Sequence, residues 1–130
     1  MFLNHQKEFE TLIKQTNNVK FHGYINNRED LINAYDDHNI LILPSYTEGQ
    51  PSVVDESLAR RRPVIIFEEI SHIIKERKGI FVSKRDLNSL TETAKFIIEN
   101  YVNLQMEIEE NKFPLEKDMF NQISEIIKNN

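Results

Sequence analysis

Short apolar runs recur along the chain, each bounded by polar or turn residues. Three of them predict β-strands because they are short and rich in β-branched residues: Ile40–Leu43, Val64–Phe67 and Ile80–Val82. Val19–Phe21 predicts a fourth short strand, and Gly23 allows the chain to turn sharply after it. Enough residues separate the later runs to form a connecting helix, which is typical of parallel sheets.

Apolar residues at helical spacing predict those helices. Residues 3–16 have an amphipathic pattern, and Asn26 with Glu29 resembles a capping box that opens a helix through Tyr35. A short helix is predicted at Ser52–Arg60. Asp86 caps a long helix with an apolar face of Leu87, Leu90, Ala94, Ile97, Ile98 and Tyr101. A tail helix is predicted from the spacing of Met119, Phe120, Ile123, Ile126 and Ile127.

Strands that alternate with helices predict an α/β fold, a Rossmann-like, doubly wound parallel sheet of about four strands. We expect one domain over residues 1–130. The first helix has no strand before it, which indicates that the chain begins partway into a larger fold.

The segment from Pro44 to Pro63 has the features of a ligand-binding βαβ unit. It joins two predicted strands through a loop that contains Gly49 and a helix for which Pro51 suits the first position. In parallel sheets ligands bind beyond the carboxyl ends of the strands, near helix N-termini. Glu48 on the loop and Glu56 on the helix flank that place.

Composition excludes several other classes of function. The 130 residues are 39% apolar and 28% charged, as in a globular domain, and the net charge of −5 gives no support for nucleic-acid binding. There is no cysteine, hence no disulfide and no thiolate metal site, and the four histidines lack metal-ligand spacing. No apolar run approaches the about 20 residues that span a bilayer.

The segment resembles a known family once its neighbours are included. Glu48 and Glu56, preceded by Pro44-Ser45 and followed by Leu58-Ala59 and Pro63-Val64-Ile65, look like the E-x7-E signature of the retaining GT-B glycosyltransferases of group 1. The resemblance runs from about Val19 to Tyr101. It implies a partial C-terminal domain that binds a nucleotide-sugar donor.

The resemblance implies a role for each residue of the segment. Glu56 holds the ribose hydroxyls, since a carboxylate offers two acceptor oxygens and no donor. Glu48 is the catalytic carboxylate: it contacts the donor sugar or stabilises positive charge at the anomeric carbon. The remaining binding residues are the backbone amides near the diphosphate, of Gly49, Gln50, Ser52 and Val53, and the residues beside the base, Gly23 and Tyr24.

Spacing alone leaves less specific roles open for the same charged residues. Glu56 stands four residues before Arg60 and would form an i,i+4 ion pair on a helix. Glu48 would be a solvent-exposed loop residue. The run Arg60–Arg62 suits a solvated helix C-terminus better than a phosphate site, because cations complement the helix dipole there.

The resemblance also implies which partners the chain needs. We expect a nucleotide-sugar substrate, a glycan or lipid-linked acceptor, no metal and no other cofactor. The family's acceptor-binding half and its diphosphate-binding cations precede the part that this chain matches, so the chain alone should be inactive. A longer product or a partner polypeptide would supply that half, and an unpaired apolar face would favour self-association. The expected location is the cytoplasm or the inner face of the membrane.

Two alternatives have other functions. A non-catalytic remnant or interaction module would keep the fold without transferring sugar. A measurement of nucleotide binding would distinguish it from a donor-binding domain. A phospho-receiver domain has the right size but needs an Asp directly after the central strand, where Pro44-Ser45 stands.

Three features depart from the family pattern. Arg61 stands where a glycine is usual, and Asp55 stands where an apolar residue is usual. The glycine-rich loop after the Pro-Val-Ile strand is replaced by a shorter stretch without glycine, residues 68–72.

Overall fold

Parallel strands and helices alternate in the computed structural model, which describes residues 2–112 and 124–129 and the side chains from residue 7 onward. The chain divides into two units, Met1–Asn33 and Ala34–Asn130. The expected α/β class is confirmed.

The unit Met1–Asn33 contains helix α1 (Phe2–Gln15) and the start of helix α2 (Arg28–Asp36). The Phe9 and Phe21 rings meet edge to face, with centroids 5.9 Å apart. Residues 19–21 have no regular secondary structure, so the predicted strand Val19–Phe21 is wrong. β-branched and aromatic composition suits a strand only where a ladder partner exists, and none pairs with this stretch among the described residues.

The start of α2 lies one residue later than predicted. Asn27 Oδ1 accepts a hydrogen bond of 2.8 Å from the Asp30 amide, and Asn27 Nδ2 donates to the Asp30 carboxylate at 2.8 Å. The capping pair is therefore Asn27 with Asp30, not Asn26 with Glu29. Both pairs have the N-cap to N3 spacing, so the sequence pattern alone could not separate them.

The unit Ala34–Asn130 contains a parallel sheet of three strands among its described residues. The strands are β1 (Leu41–Leu43), β2 (Val64–Phe67) and β3 (Ile80–Ser83), in the order β1-β2-β3. Leu41 pairs with Val64, and Val64 pairs with Ile80. Every residue of the central strand β2 is buried.

Helices cover both faces of this sheet. Helix α3 (Ser52–Ala59) and a kinked 3₁₀ segment (Glu68–Ile73) follow β1 and β2, and α4 (Leu87–Glu99) and α5 (Tyr101–Glu109) follow β3. On one face the core comprises Val54, Leu58, Val64, Ile66, Ile70, Ile73 and Ile108. On the other face it comprises Ile65, Ile97 and Leu104. Ile65 faces opposite to Val64 and Ile66, as strand alternation requires.

The helix after β3 begins as predicted but ends earlier. Asp86 accepts a 2.7 Å hydrogen bond from the Ser89 amide, which confirms the predicted N-cap. Asn100 then separates α4 from α5. Leu87 and Ile98, which were expected on the apolar face, are exposed.

Gly79 sits where only glycine fits. Its φ is +93°, and a Cβ built there would lie 2.4 Å from Ile108 Cγ1 and 3.0 Å from Leu58 Cδ2. Its carbonyl also accepts a 2.8 Å hydrogen bond from the Val64 amide. The glycine thus brings the start of β3 close to the core beneath α3 and α5.

Helix α3 ends in a Schellman turn built on a non-glycine residue. The Arg61 amide donates to the Leu58 carbonyl and the Arg62 amide to the Ser57 carbonyl, both at 2.9 Å. Arg61 adopts a left-handed conformation with φ of 57°. The position where the family has glycine therefore keeps the glycine conformation here.

The tail is described only in part. Met119, Phe120 and Ile123 of the predicted tail helix lie outside the described residues, and residues 124–128 are helical. Ile126 and Ile127 are exposed.

Candidate functional site

The loop between β1 and α3 carries the first glutamate, and α3 carries the second. The carboxyl ends of the three strands meet at the same edge of the sheet because the strands are parallel and adjacent. Glu48 lies on the loop that leaves β1 at this edge, and Glu56 lies on the second turn of α3. Both side chains are partly buried.

Glu56 accepts a hydrogen bond from a tyrosine. The Tyr35 hydroxyl donates to Glu56 Oε2 at 2.9 Å. Burial raises the pKa of Tyr35, and the hydrogen bond and charge of Glu56 raise it further, so the phenol stays protonated as a donor. The sequence predicted Tyr35 as the last residue of a helix but gave no sign of this contact, which spans 21 residues.

The ion pair that was expected on α3 does not form. Arg60 instead pairs with Asp36 through two hydrogen bonds, one of them 2.7 Å from Nε to Oδ1. The hydrogen bond from Arg60 lowers the pKa of Asp36, and the charges of Arg60 and Arg62 lower it further. Glu56 is therefore not occupied by the arginine one turn away.

The three arginines at the end of α3 hold neighbouring elements. Arg62 donates to the Tyr35 carbonyl at 3.1 Å and to the Asp36 carbonyl at 3.0 Å, and Arg61 pairs with Glu109. With Arg60, these contacts tie the C-terminal end of α2 and the helix α5 to the end of α3. The expectation of a solvated run of cations is thus only partly right, because each arginine contacts a specific partner.

Glu48 is also held in place. The Ser45 hydroxyl donates to Glu48 Oε1 at 2.7 Å. His72 Nε2 lies 2.7 Å from the Glu48 carbonyl oxygen, so this ring nitrogen carries the proton and donates. The alternative that Glu48 is a solvent-exposed loop residue is wrong, since its side chain is partly buried and hydrogen-bonded.

The residues between the two glutamates form the entry to α3. Pro51 is the N-cap residue, with ψ of 118°, and not the first helical residue as predicted. The first helical residues are Ser52, which is exposed, and Val53, which is partly buried. Amides at this position have no acceptor within the helix and point outward along its axis.

Gly49 and Gln50 are exposed on the loop. Apart from Gly49 and its two chain neighbours, no described residue has an atom within 4 Å of a Cβ built on Gly49. Packing within the described chain therefore does not require glycine at this position, and its backbone is open to an approaching ligand.

Gly23 and Tyr24 belong to the other unit, Met1–Asn33. Gly23 adopts φ of +65°, which explains the glycine and the sharp turn expected there. The Tyr24 side chain is 91% exposed.

Arg85 is a residue of this edge that sequence analysis missed. It follows β3 and donates to the carbonyls of Pro44 and Ser45, at 3.0 and 3.2 Å, and to Glu69 Oε1 at 3.0 Å. The hydrogen bond from Arg85 lowers the pKa of Glu69. No local pattern predicts these contacts, because they join residues 16 to 41 positions apart.

Asp55, which departs from the family pattern, has a charged partner. Its Oδ1 lies 3.0 Å from Arg77 Nη1, and the Arg77 side chain is 15% exposed. The Arg77 nitrogen has no partner with hydrogen-bond geometry among the described atoms. We assign the contact to an ion pair, because opposite charges at this distance attract even when the bond is poorly aligned. This pair accounts for a carboxylate at a position that is usually apolar.

The described residues contain neither a metal-ligand cluster nor a helix that could span a membrane. No group of three or more His, Asp or Glu side chains in residues 7–112 and 124–129 is placed to hold a metal ion. Within the same residues, no helix combines the length and apolarity that crossing a bilayer requires.

One known family matches most of the chain. The model of the family described as Glycosyl transferases group 1 matches residues 4–100, which is 97 of the 130 residues. No curated protein and no solved structure matches the chain significantly. The matched residues include all three strands, α3 and both glutamates.

Proposed function

Because the chain belongs to the glycosyl transferases of group 1, we propose that it binds the nucleotide-sugar donor of a glycosyl transfer reaction. Glycosyl transfer is the function of the family; the donor, the roles of single residues and retention of anomeric configuration are our proposals. The E-x7-E interpretation of Glu48 and Glu56 is part of the same proposal.

One observation carries it: each glutamate is held by a hydroxyl donor that leaves acceptor capacity for a ligand. Tyr35 occupies one position on Glu56 Oε2, and Ser45 occupies one on Glu48 Oε1. A carboxylate has about four lone-pair positions on its two oxygens. Oriented carboxylates of this kind, at the carboxyl edge of a parallel sheet, suit a polyhydroxylated ligand.

The role proposed for each residue is the one that the family resemblance implies. Glu56, on α3, accepts hydrogen bonds from the ribose hydroxyls. Glu48, on the loop, faces the donor sugar and stabilises positive charge that develops at the anomeric carbon. The diphosphate lies at the start of α3, near the amides of Gly49, Gln50, Ser52 and Val53, where the helix dipole favours an anion.

The proposal extends to the base, the acceptor and the partner. Gly23 and Tyr24 contact the base, and the acceptor is a glycan or a lipid-linked sugar in the cytoplasm or at the inner face of the membrane. An acceptor-binding domain, in the same product or on another polypeptide, completes the enzyme. Exposed apolar side chains on α4 and α5 support association with a second polypeptide or another copy: Phe96, Ile98, Val102 and Met106.

Calorimetric titration of two variants tests the roles of the glutamates. The probes are UDP, GDP and ADP and their hexose conjugates. Glu56→Gln should weaken binding of the diphosphate and its conjugate alike, by about 1.5–3 kcal/mol, because a charge-assisted acceptor is lost. Glu48→Gln should leave diphosphate binding nearly unchanged and weaken only the conjugate.

Glu92→Gln is the matched control, since it removes the same charge from an exposed position on α4. It should leave both affinities unchanged. The proposed function is wrong if the unaltered chain binds none of the probes. The assigned roles are wrong if all three variants bind with the affinity of the unaltered chain.

A further inference from the structure

Arg85 joins the carboxyl ends of all three strands. It lies two residues beyond β3, its hydrogen bonds reach the two residues that follow β1, and its Glu69 partner lies just beyond β2. One side chain thereby fixes the spacing of the segments that leave the sheet at this edge.

The guanidinium itself is held firmly. Its carbon lies 3.9 Å from the centroid of the Tyr46 ring and 4.2 Å from that of the Phe67 ring. The side chain is 28% exposed. The contacts with these two rings add to the hydrogen bonds of the guanidinium and limit its rotation, because a planar cation stacks on aromatic faces.

Ser45 connects Arg85 to Glu48. The Ser45 carbonyl accepts from Arg85 Nη2, while the Ser45 hydroxyl donates to the Glu48 carboxylate. The orientation of that hydroxyl depends on the backbone that Arg85 holds. A shift of the loop would therefore move the Glu48 carboxylate.

We infer that Arg85 is a positioning residue for Glu48, which it acts on through the loop of Pro44, Ser45 and Tyr46. The inference rests on the proposed function, because it assigns Glu48 to the donor sugar. The hydrogen bonds of Arg85 go to protein groups, namely two carbonyls and one carboxylate. Its fork of N–H groups reaches two carbonyls and a carboxylate at once, which a lysine ammonium cannot reproduce.

The first experiment needs no ligand. Cleavage by chymotrypsin after Tyr46 is followed in the unaltered chain, in Arg85→Gln and in Lys84→Gln, which removes the neighbouring exposed charge. Arg85→Gln should speed this cleavage by about tenfold or more without unfolding the sheet, because the Tyr46 ring loses its contact with the guanidinium and loops open locally without global unfolding. Unchanged cleavage after Tyr46 would overturn the inference.

The second experiment is a double-mutant cycle with Glu48→Gln, read by titration with the diphosphate and its hexose conjugate. Arg85→Gln should weaken the conjugate selectively, and the double variant should bind it only as poorly as Glu48→Gln alone. A coupling of about threefold or more between the two substitutions is expected, since the residues act through one path.

Three outcomes separate the explanations. Additive losses would overturn the inference and leave Arg85 a stabilising residue of the fold. Full conjugate binding by Arg85→Lys would overturn it too, because charge and not the fork would then suffice. If the unaltered chain binds no probe, the proposed function fails and the inference fails with it.

Discussion

Tyr35 is the residue whose contact best distinguishes a binding role of Glu56 from a structural one. Its hydroxyl orients one carboxylate oxygen of Glu56, and Arg62 Nε donates a hydrogen bond to its carbonyl. The Glu56 carboxylate therefore has a fixed orientation before any ligand arrives. Preorganisation of this kind raises affinity because less freedom is lost on binding.

We predict that Tyr35→Phe weakens nucleoside diphosphate binding and destabilises the fold by about 0.5–1.5 kcal/mol, the usual effect of one lost hydrogen bond. Titration and urea unfolding measure the two effects.

Tyr101→Phe is the control for Tyr35→Phe, since the Tyr101 hydroxyl donates to the Asn39 carbonyl at 2.7 Å. It should show the stability effect alone. Equal diphosphate affinity in the two variants would contradict a role for Tyr35 in orienting Glu56.

At this scale the sequence predicted the acidic residues but not the groups that hold them. Glu48 and Glu56 belong to a short local pattern, so spacing and flanking residues identify them. Tyr35, Arg85 and His72 reach the site through the fold, across at least 16 residues in each contact. Only Ser45, three residues from Glu48, lay within the pattern.

At the scale of elements, the turn after α3 offers a sharp test of backbone strain. Arg61 has left-handed φ, which is unfavourable for any residue with a Cβ. We predict that Arg61→Gly is about 1 kcal/mol more stable than Arg61→Ala, because both lose the pair with Glu109 and only glycine relieves the strain. Urea unfolding measures the difference.

Ala59→Gly is the control, because glycine at this position should lower the stability instead of raising it. Ala59 is the last residue of α3 and lies in the helix, where glycine destabilises by about 0.5–1 kcal/mol. Equal stability of Arg61→Gly and Arg61→Ala would show that the turn is not strained.

The pair between Asp36 and Arg60 should make stability depend on acid pH. The pKa of Asp36 is lowered in the folded state from its ordinary 3.8. The contribution of the Asp36 carboxylate to the free energy of unfolding is therefore fully present above the unfolded pKa. It is lost as pH falls through the folded pKa. We predict that unaltered chain and Asp36→Asn differ in urea midpoint at pH 6 and converge at acid pH, once the pH has fallen through the folded pKa of Asp36.

Asp37→Asn, at the next position, is the control for this pair. It should shift the urea midpoint by a similar amount at both pH values. A difference between unaltered chain and Asp36→Asn that persists at the lowest pH would contradict the assignment.

The elements were predictable where local chemistry was decisive. Asp86 caps α4 because an acceptor at the N-cap satisfies a free amide, and the three other predicted runs form the sheet. The prediction at Val19–Phe21 failed because no described strand pairs with it, whereas Ile80–Val82, which is equally short, pairs with β2. The long helix ends at Asn100, although apolar spacing continues through Tyr101, since periodicity is insensitive to a single non-helical residue.

At the scale of the whole molecule, the decisive property is the solvent exposure of the proposed site. In the unit Ala34–Asn130 the loop residues Gly49 and Gln50 and the first helical residue Ser52 are exposed. An exposed edge can bind a donor, but it does not exclude water from the anomeric carbon. Transfer needs an acceptor held against that carbon in a water-poor cleft.

We therefore predict that the purified 130-residue chain binds a nucleotide-sugar but transfers no sugar. The measurement is release of nucleoside diphosphate from the bound conjugate in the presence of glycan and lipid-linked acceptors. The Glu48→Gln variant sets the background, because it lacks the carboxylate proposed to stabilise the transition state. Binding shown by titration of the same preparation separates an incomplete enzyme from an inactive sample. Release above that background, with no second polypeptide present, would mean that this chain alone shields the anomeric carbon and holds the acceptor.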